Sequence, residues 1–263
     1  MLTTTSLDST PIAFWRSGQG PPLLLVHGAT ADHTTTWRFV LDTFAQRFTV
    51  YAMDRRGRGG SGDAAAYDLL REAEDVAAVI DAIGGRVHVL GHSFGALCAL
   101  EAARLTPNLG RLILYEGVPL RGAELYPAGL TDRLDALANA GDWEGVLVAL
   151  YREVVEMPPE ELELMRSDGV AWARRLSNAP RAPREIRTEE DYTFDPARFA
   201  NMRTPTLLLV GGDSPPRELR NATGIAEALP DARVAILPGQ QHVAMYTAPD
   251  LFVAEVVRFL EQG

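Results

Sequence analysis

The sequence predicts an α/β fold built on a mostly parallel twisted sheet with helices on both faces, and three observations carry the prediction. Six short β-branched or leucine-rich runs recur along the chain, each bounded by Gly, Pro or Asp. Runs of this kind suit strands that are buried on both faces. Between them lie longer stretches with helical spacing of apolar residues, so strand and helix alternate over most of the length.

In order, residues 3–16 fit an antiparallel hairpin at the sheet edge, and strands are predicted at 22–26, 48–53, 87–90, 112–115, 206–210 and 234–237. Helical patterns fall at 36–45, 69–83, 95–105, 218–228 and 250–260. Residues 119–200 break the alternation. They contain helical patterns near 130–140, 143–156, 159–168 and 171–176, then an arginine-rich, proline-punctuated stretch at 180–196. That is too long for an ordinary crossover, so a helical cap at 119–200 is expected, inserted into a core formed by 1–118 and 201–263.

Composition excludes several classes. The 263 residues are 46% hydrophobic and 23% charged, enough for a substantial core and unlike a disordered or collagen-like chain. A net charge of -10 argues against nucleic-acid or anionic-membrane partners. All 25 basic residues are arginine. Without lysine there is no Walker-type phosphate lysine, no pyridoxal Schiff base and no Ser-Lys dyad. Cys98 is the single cysteine, so no internal disulfide or cysteine zinc cluster forms, and its apolar neighbours make it a small buried hydrophobe. The first ten residues lack a signal-peptide pattern and no apolar run is long enough to span a bilayer, so a soluble cytoplasmic protein is expected.

The strongest motif is Gly91-His92-Ser93-Phe94-Gly95, a G-x-S-x-G pentapeptide. It follows a predicted strand and opens a predicted helix, the context that presents a serine hydroxyl above a sheet edge on a strained turn. The helix N-terminus that follows offers unpaired N–H groups to a developing oxyanion.

With this motif in place, the chain resembles the α/β-hydrolase fold family from about residue 11 to 260. The likeness also rests on Val26-His27-Gly28-Ala29, the loop at 54–61, Gly211-Gly212-Asp213 and Gln241-His242. The helical insertion falls where this family carries its cap. The resemblance implies a nucleophile at Ser93 and the triad order Ser, acid, His. Of five histidines only His242 follows Ser93 at a distance, which makes it the expected base, while His27 is expected to pin its own loop. Two carboxylates end predicted strands between Ser93 and His242. The family's usual position points to Asp213; Glu116 occupies a position some relatives use, with a salt bridge or cap contact as its plainer reading. The resemblance also implies an oxyanion hole from the backbone N–H groups of Ala29 and Phe94.

Weaker signals have plainer explanations. Gly57-Arg58-Gly59-Gly60-Ser61-Gly62 matches G-x-G-x-x-G, but Asp54, Arg55 and Arg56 intervene after the strand, so it reads as a tight structural loop. Arg166, Arg174, Arg175, Arg181, Arg184 and Arg187, mixed with Asp168, Glu185, Glu189 and Glu190, read as a solvated, salt-bridged surface. Trp143, Tyr151, Met157, Met165 and Trp172 read as core, with some lining an acyl pocket. His27 and His33 lack metal-ligand spacing, so neither metal nor cofactor is expected.

The expected function is hydrolysis of carboxylic esters, lactones such as acyl lactones included, on small-molecule substrates and through an acyl-enzyme. Carbon–carbon bond hydrolysis, cofactor-free haloperoxidase or perhydrolase chemistry, and a ligand-binding receptor on the same fold are the alternatives. The oligomeric state is left open.

Overall fold

In the computed structural model, which describes residues 1–262, eight strands form one sheet. They are β1 (Leu2–Thr5), β2 (Pro11–Ser17), β3 (Pro22–Val26), β4 (Thr49–Met53), β5 (Val87–His92), β6 (Leu109–Tyr115), β7 (Thr206–Gly211) and β8 (Ala232–Leu237). Their spatial order is β1-β2-β4-β3-β5-β6-β7-β8. The first two strands run antiparallel at one edge, as residues 3–16 predict, and the rest are parallel.

Alternation along the central strands divides the core. Leu23 and Leu25 of β3 face one apolar cluster, with Trp37 and Phe44, while Leu24 and Val26 face another, with Leu97 and Leu100. On the first face lie α1 (Leu41–Ala45), the short α10 (Ala244–Thr247) and α11 (Pro249–Leu260). On the second lie α2 (Leu69–Ile83), α3 (Phe94–Ala102) and α9 (Pro216–Ala228). Helix α2 starts where the Asp68 carboxylate caps the Arg71 N–H at 2.9 Å and ends at Gly84, whose φ of 78° suits glycine. Every residue of α3 is buried between the sheet and its neighbours, and its one charged residue, Glu101, pairs with Arg104 and Arg198.

Between β6 and β7 the regular elements are helical: α4 (Leu130–Asn139), α5 (Trp143–Ala149), α6 (Pro159–Ser167), α7 (Gly169–Asn178) and α8 (Ala182–Glu190), with short turns among them. Their apolar residues, Leu134, Leu147, Leu162 and Ile186 among them, belong to the same cluster as Leu23 and Leu25. The segment is therefore packed onto the sheet's own core.

Three local expectations change. The helix expected at 36–45 shortens to α1, because Asp32 draws the N–H groups of Thr34 and Thr35 into a tight turn just upstream. The pattern at 143–156 splits into α5 and a π-helical turn, Leu150–Val154, of the sort that often marks a functional position. The stretch at 180–196 forms α8, since Pro183 lies in its first turn, where a missing N–H costs no hydrogen bond. Among the described residues no helix is long and apolar enough to cross a membrane.

Candidate active site

Strand β5 ends at His92 and α3 begins at Phe94, leaving Ser93 alone at the turn with φ 55° and ψ −133°. An L-residue avoids this conformation, and strain of this kind gathers at functional sites. The turn is held by the Ser93 N–H, which donates to the Tyr115 carbonyl at 3.0 Å. Gly95 must lack a side chain here, because a Cβ would lie 2.3 Å from the His27 carbonyl oxygen.

The imidazole of His242 lies on the same cavity wall as Ser93. Its Nδ1–H donates to Oε2 of Glu116 at 2.7 Å, which leaves Nε2 as the basic nitrogen. Glu116 Oε1 accepts from the Gly211 N–H at 2.8 Å and the Ser214 hydroxyl at 2.6 Å, and its side chain is 1% exposed. Asp213 is exposed and donates only its backbone N–H, to the Gln240 carbonyl at 2.9 Å. The expectation that Asp213 holds the imidazole is therefore corrected: Glu116 does. The reason is strand order. β6 is the direct neighbour of β5, so the residue after Tyr115 emerges beside Ser93, whereas β7 is one strand further out. The loop after β7 turns Gly211 and Ser214 inward onto Glu116 and leaves Asp213 outside.

Burial by itself would lower the pKa of His242, but the hydrogen bond and charge of Glu116, helped by Glu218 and Glu189, raise it above 6.5. The histidine loop is fastened by residues that sequence reading missed. His92 donates through Nε2 to the His242 carbonyl at 2.9 Å, and burial holds His92 neutral, its pKa well below normal. Tyr115 donates its hydroxyl to the Gln241 carbonyl and accepts the Ala244 N–H at 3.1 Å. Both stand at the ends of central strands, yet nothing in their spacing pairs them with a loop so far along the chain.

Ser93 and His242 open onto a cavity of about 560 Å³, counted out to its mouth. Ala29 and Phe94 line it too, and among the described residues neither backbone N–H has an acceptor. The loop that carries Ala29 is pinned by His27, which donates from Nδ1 to the Gly28 carbonyl at 2.8 Å and accepts the Arg55 N–H at 3.1 Å. Burial and the nearby Arg55 lower the pKa of His27 to about 3, so the ring stays neutral in this role. Among the described residues no cluster of three His, Cys, Asp or Glu side chains could hold a metal ion.

The helical segment supplies the opposite wall, with Leu150, Tyr151, Val154, Met165 and Ile186. Two charged residues expected at its surface are buried in this wall instead. Arg175 and Glu189 are each 5% exposed, and both line the cavity. Burial and the charge of Glu218 outweigh a hydrogen bond from Tyr126, so the Glu189 pKa rises to about 7. Glu185, expected at the surface as well, is fully buried and binds Arg55 and Arg58 of the glycine-rich loop at 2.5 Å each. The arginines of that loop are buried and tie it to α2 through the pairs Arg55–Glu72 and Arg56–Asp75.

Comparison with known proteins agrees with this architecture. The sequence model of the alpha/beta hydrolase family matches residues 23–255. The chain is 30% identical to the N-formylmaleamate deformylase of Pseudomonas putida, covering 93% of this chain and 90% of that one. It is 27% identical to the pimeloyl-[acyl-carrier protein] methyl ester esterase of Nitrosomonas europaea, over 90% and 95% of the two chains. Among solved structures, an alpha/beta hydrolase from Sphaerobacter thermophilus superposes with a TM-score of 0.86 at 36% identity, covering 98% of this chain and all of that one. With a match spanning the parallel strands, the serine turn and the histidine loop, the chain belongs to the alpha/beta hydrolase family.

Proposed function

We propose that this protein is a serine hydrolase of carboxylic esters, lactones included, with Ser93, His242 and Glu116 as its triad. The observation that carries the reading is the Glu116–His242 pair, buried beside a serine on a strained strand-to-helix turn. Ser93 Oγ attacks the ester carbonyl while His242 Nε2 takes its proton, and Glu116 stabilises the imidazolium. The backbone N–H groups of Ala29 and Phe94 receive the oxyanion. His242 then passes the proton to the departing alcohol, and a water activated by the same nitrogen releases the acid. A lactone meets the same nucleophile and differs only in that its alcohol stays attached.

In this reading the helical segment of residues 119–200 acts as a cap, closing the acyl-binding space with apolar side chains. Two relatives support acyl transfer to water: one is named for removing a formyl group, the other for cleaving a methyl ester. The test is a panel of p-nitrophenyl esters and acyl lactones on the wild type and Ser93→Ala, together with fluorophosphonate labelling. Ester or lactone cleavage and labelling are expected, and both should vanish in the variant. Labelling that survives Ser93→Ala overturns the nucleophile. Labelling at Ser93 without cleavage of any ester or lactone overturns the substrate class and transfers the triad to carbon–carbon bond hydrolysis, peroxide chemistry or ligand binding.

A further inference from the structure

Arg175 in α7 is a buried cation that pairs with no carboxylate among the described residues. Its Nη1 donates to the Tyr151 hydroxyl at 3.0 Å and its Nη2 to the Tyr246 hydroxyl at 3.0 Å, both neutral acceptors. Those hydroxyls are themselves committed: Tyr151 is bonded to Thr30 Oγ1 at 2.8 Å, and Tyr246 donates to the Thr35 carbonyl. A guanidinium has five N–H donors, so two bonds leave donors unspent. Burying a charge without a counter-charge is costly, and proteins seldom do so without a use for it.

The position of this cation supplies that use. Arg175 lines the cavity that contains Ser93 and His242, and it also lines a second, outer hollow of about 570 Å³. Neither space contains a carboxylate that pairs with it. Glu189, in the inner cavity, is bonded to Tyr126, and Asp168, in the outer hollow, is paired with Arg38. A guanidinium fork matches a carboxylate better than it matches any neutral group.

We infer that Arg175 is a substrate-binding residue that selects esters or lactones carrying a free carboxylate. This inference rests on the serine-hydrolase reading above and narrows its substrate class. Arg175 and Ser93 line one cavity, so the carboxylate belongs to the same bound molecule as the scissile carbonyl. The two phenols hold the fork in place before substrate arrives, which limits the ordering cost of binding.

Matched substrates that differ only in the anion provide the test. One pair is the p-nitrophenyl monoester of glutaric acid and its glutaramate counterpart, with the anion on the acyl side. The other is the butyryl ester of glycolate and that of glycolamide, with the anion on the alcohol side. In at least one pair the wild type should favour the acid in kcat/KM by about 10- to 100-fold, the range of a charge-assisted hydrogen-bonded contact. Arg175→Met should reduce that ratio to near one, and Arg175→Lys should retain part of it. A purely structural tie between Tyr151 and Tyr246 would lower stability without changing the ratio. Equal rates within both wild-type pairs overturn the inference even if the variants fail to fold, and so does a preference that survives Arg175→Met. Ser93-dependent cleavage of the neutral esters leaves the hydrolase reading standing in either event.

Discussion

Gly117 backs directly onto Ser93: a Cβ added at Gly117 would lie 2.4 Å from both the Cα and the carbonyl carbon of Ser93. The chain leaving β6 must pass behind the nucleophile turn, and the preceding residue, Glu116, takes a left-handed φ of 50° as it does so. Two strained residues, Ser93 and Glu116, thus stand just past the ends of neighbouring strands, and the geometry that exposes the hydroxyl also aims the carboxylate at His242.

Gly117→Ala is expected to damage the site from behind. At a φ of 73° the methyl group would meet backbone, which cannot move aside as a flexible side chain could. The expected cost is at least about 2 kcal/mol of stability, with a larger fractional loss of activity, because relief of the clash displaces Ser93. Urea denaturation and kcat/KM on one ester provide the measurements. Full activity in the variant would mean that the two segments are not in such close contact.

The two candidate acids separate by mutation. Glu116→Gln presents an N–H donor to His242 Nδ1 and favours the wrong tautomer, for which a loss on the order of 10⁴ in kcat is expected. Asp213→Asn should change kcat by less than about tenfold, equivalent to about 1.4 kcal/mol of barrier. Steady-state kinetics of the two variants side by side decide the matter, and the reverse ranking returns the role to Asp213.

In the proposed mechanism activity requires the neutral form of His242, and Glu116 raises that group's pKa above 6.5. The acid limb of kcat/KM is therefore expected above pH 6.5. In Glu116→Gln it should move to lower pH, because burial is then opposed only by the charges of Glu218 and Glu189. The pH dependence of fluorophosphonate labelling measures this even where turnover is weak. Stability responds in the other direction: the His242–Glu116 pair stabilises fully below 6.5, and that contribution fades as pH rises through the raised pKa.

Glu185 fastens α8 to the core by binding both Arg55 and Arg58 away from water. Glu185→Ala leaves two buried guanidinium groups short of their shared counter-charge, for which about 3–5 kcal/mol of destabilisation is expected. Ile186 and Glu189, on the same helix, line the cavity, so ester hydrolysis should weaken as well. Thermal and urea unfolding give the first quantity, and kcat/KM gives the second. A variant as stable as the wild type would show that this buried cluster contributes little.

Local pattern was enough for the fold class and for the strand-to-helix turn that carries Ser93. A strand, a tight turn and a helix leave marks within a dozen residues, as apolar periodicity and as glycines where backbones crowd. The histidine came by elimination, with only one positioned late enough in the chain. The identity of the acid could not be read this way. Glu116 and Asp213 both end buried strands, and the choice between them depends on which strand lies next to β5 and on how the loop after β7 folds over, both properties of distant segments brought together. Arg175 was equally hidden, since helical spacing in a polar, arginine-rich stretch does not reveal which face of α7 meets the core. A hydroxyl poised by local backbone geometry is written in the sequence around it. A charge acquires its partner, or goes without one, only when tertiary packing removes it from water, because that is where an unpaired charge begins to cost.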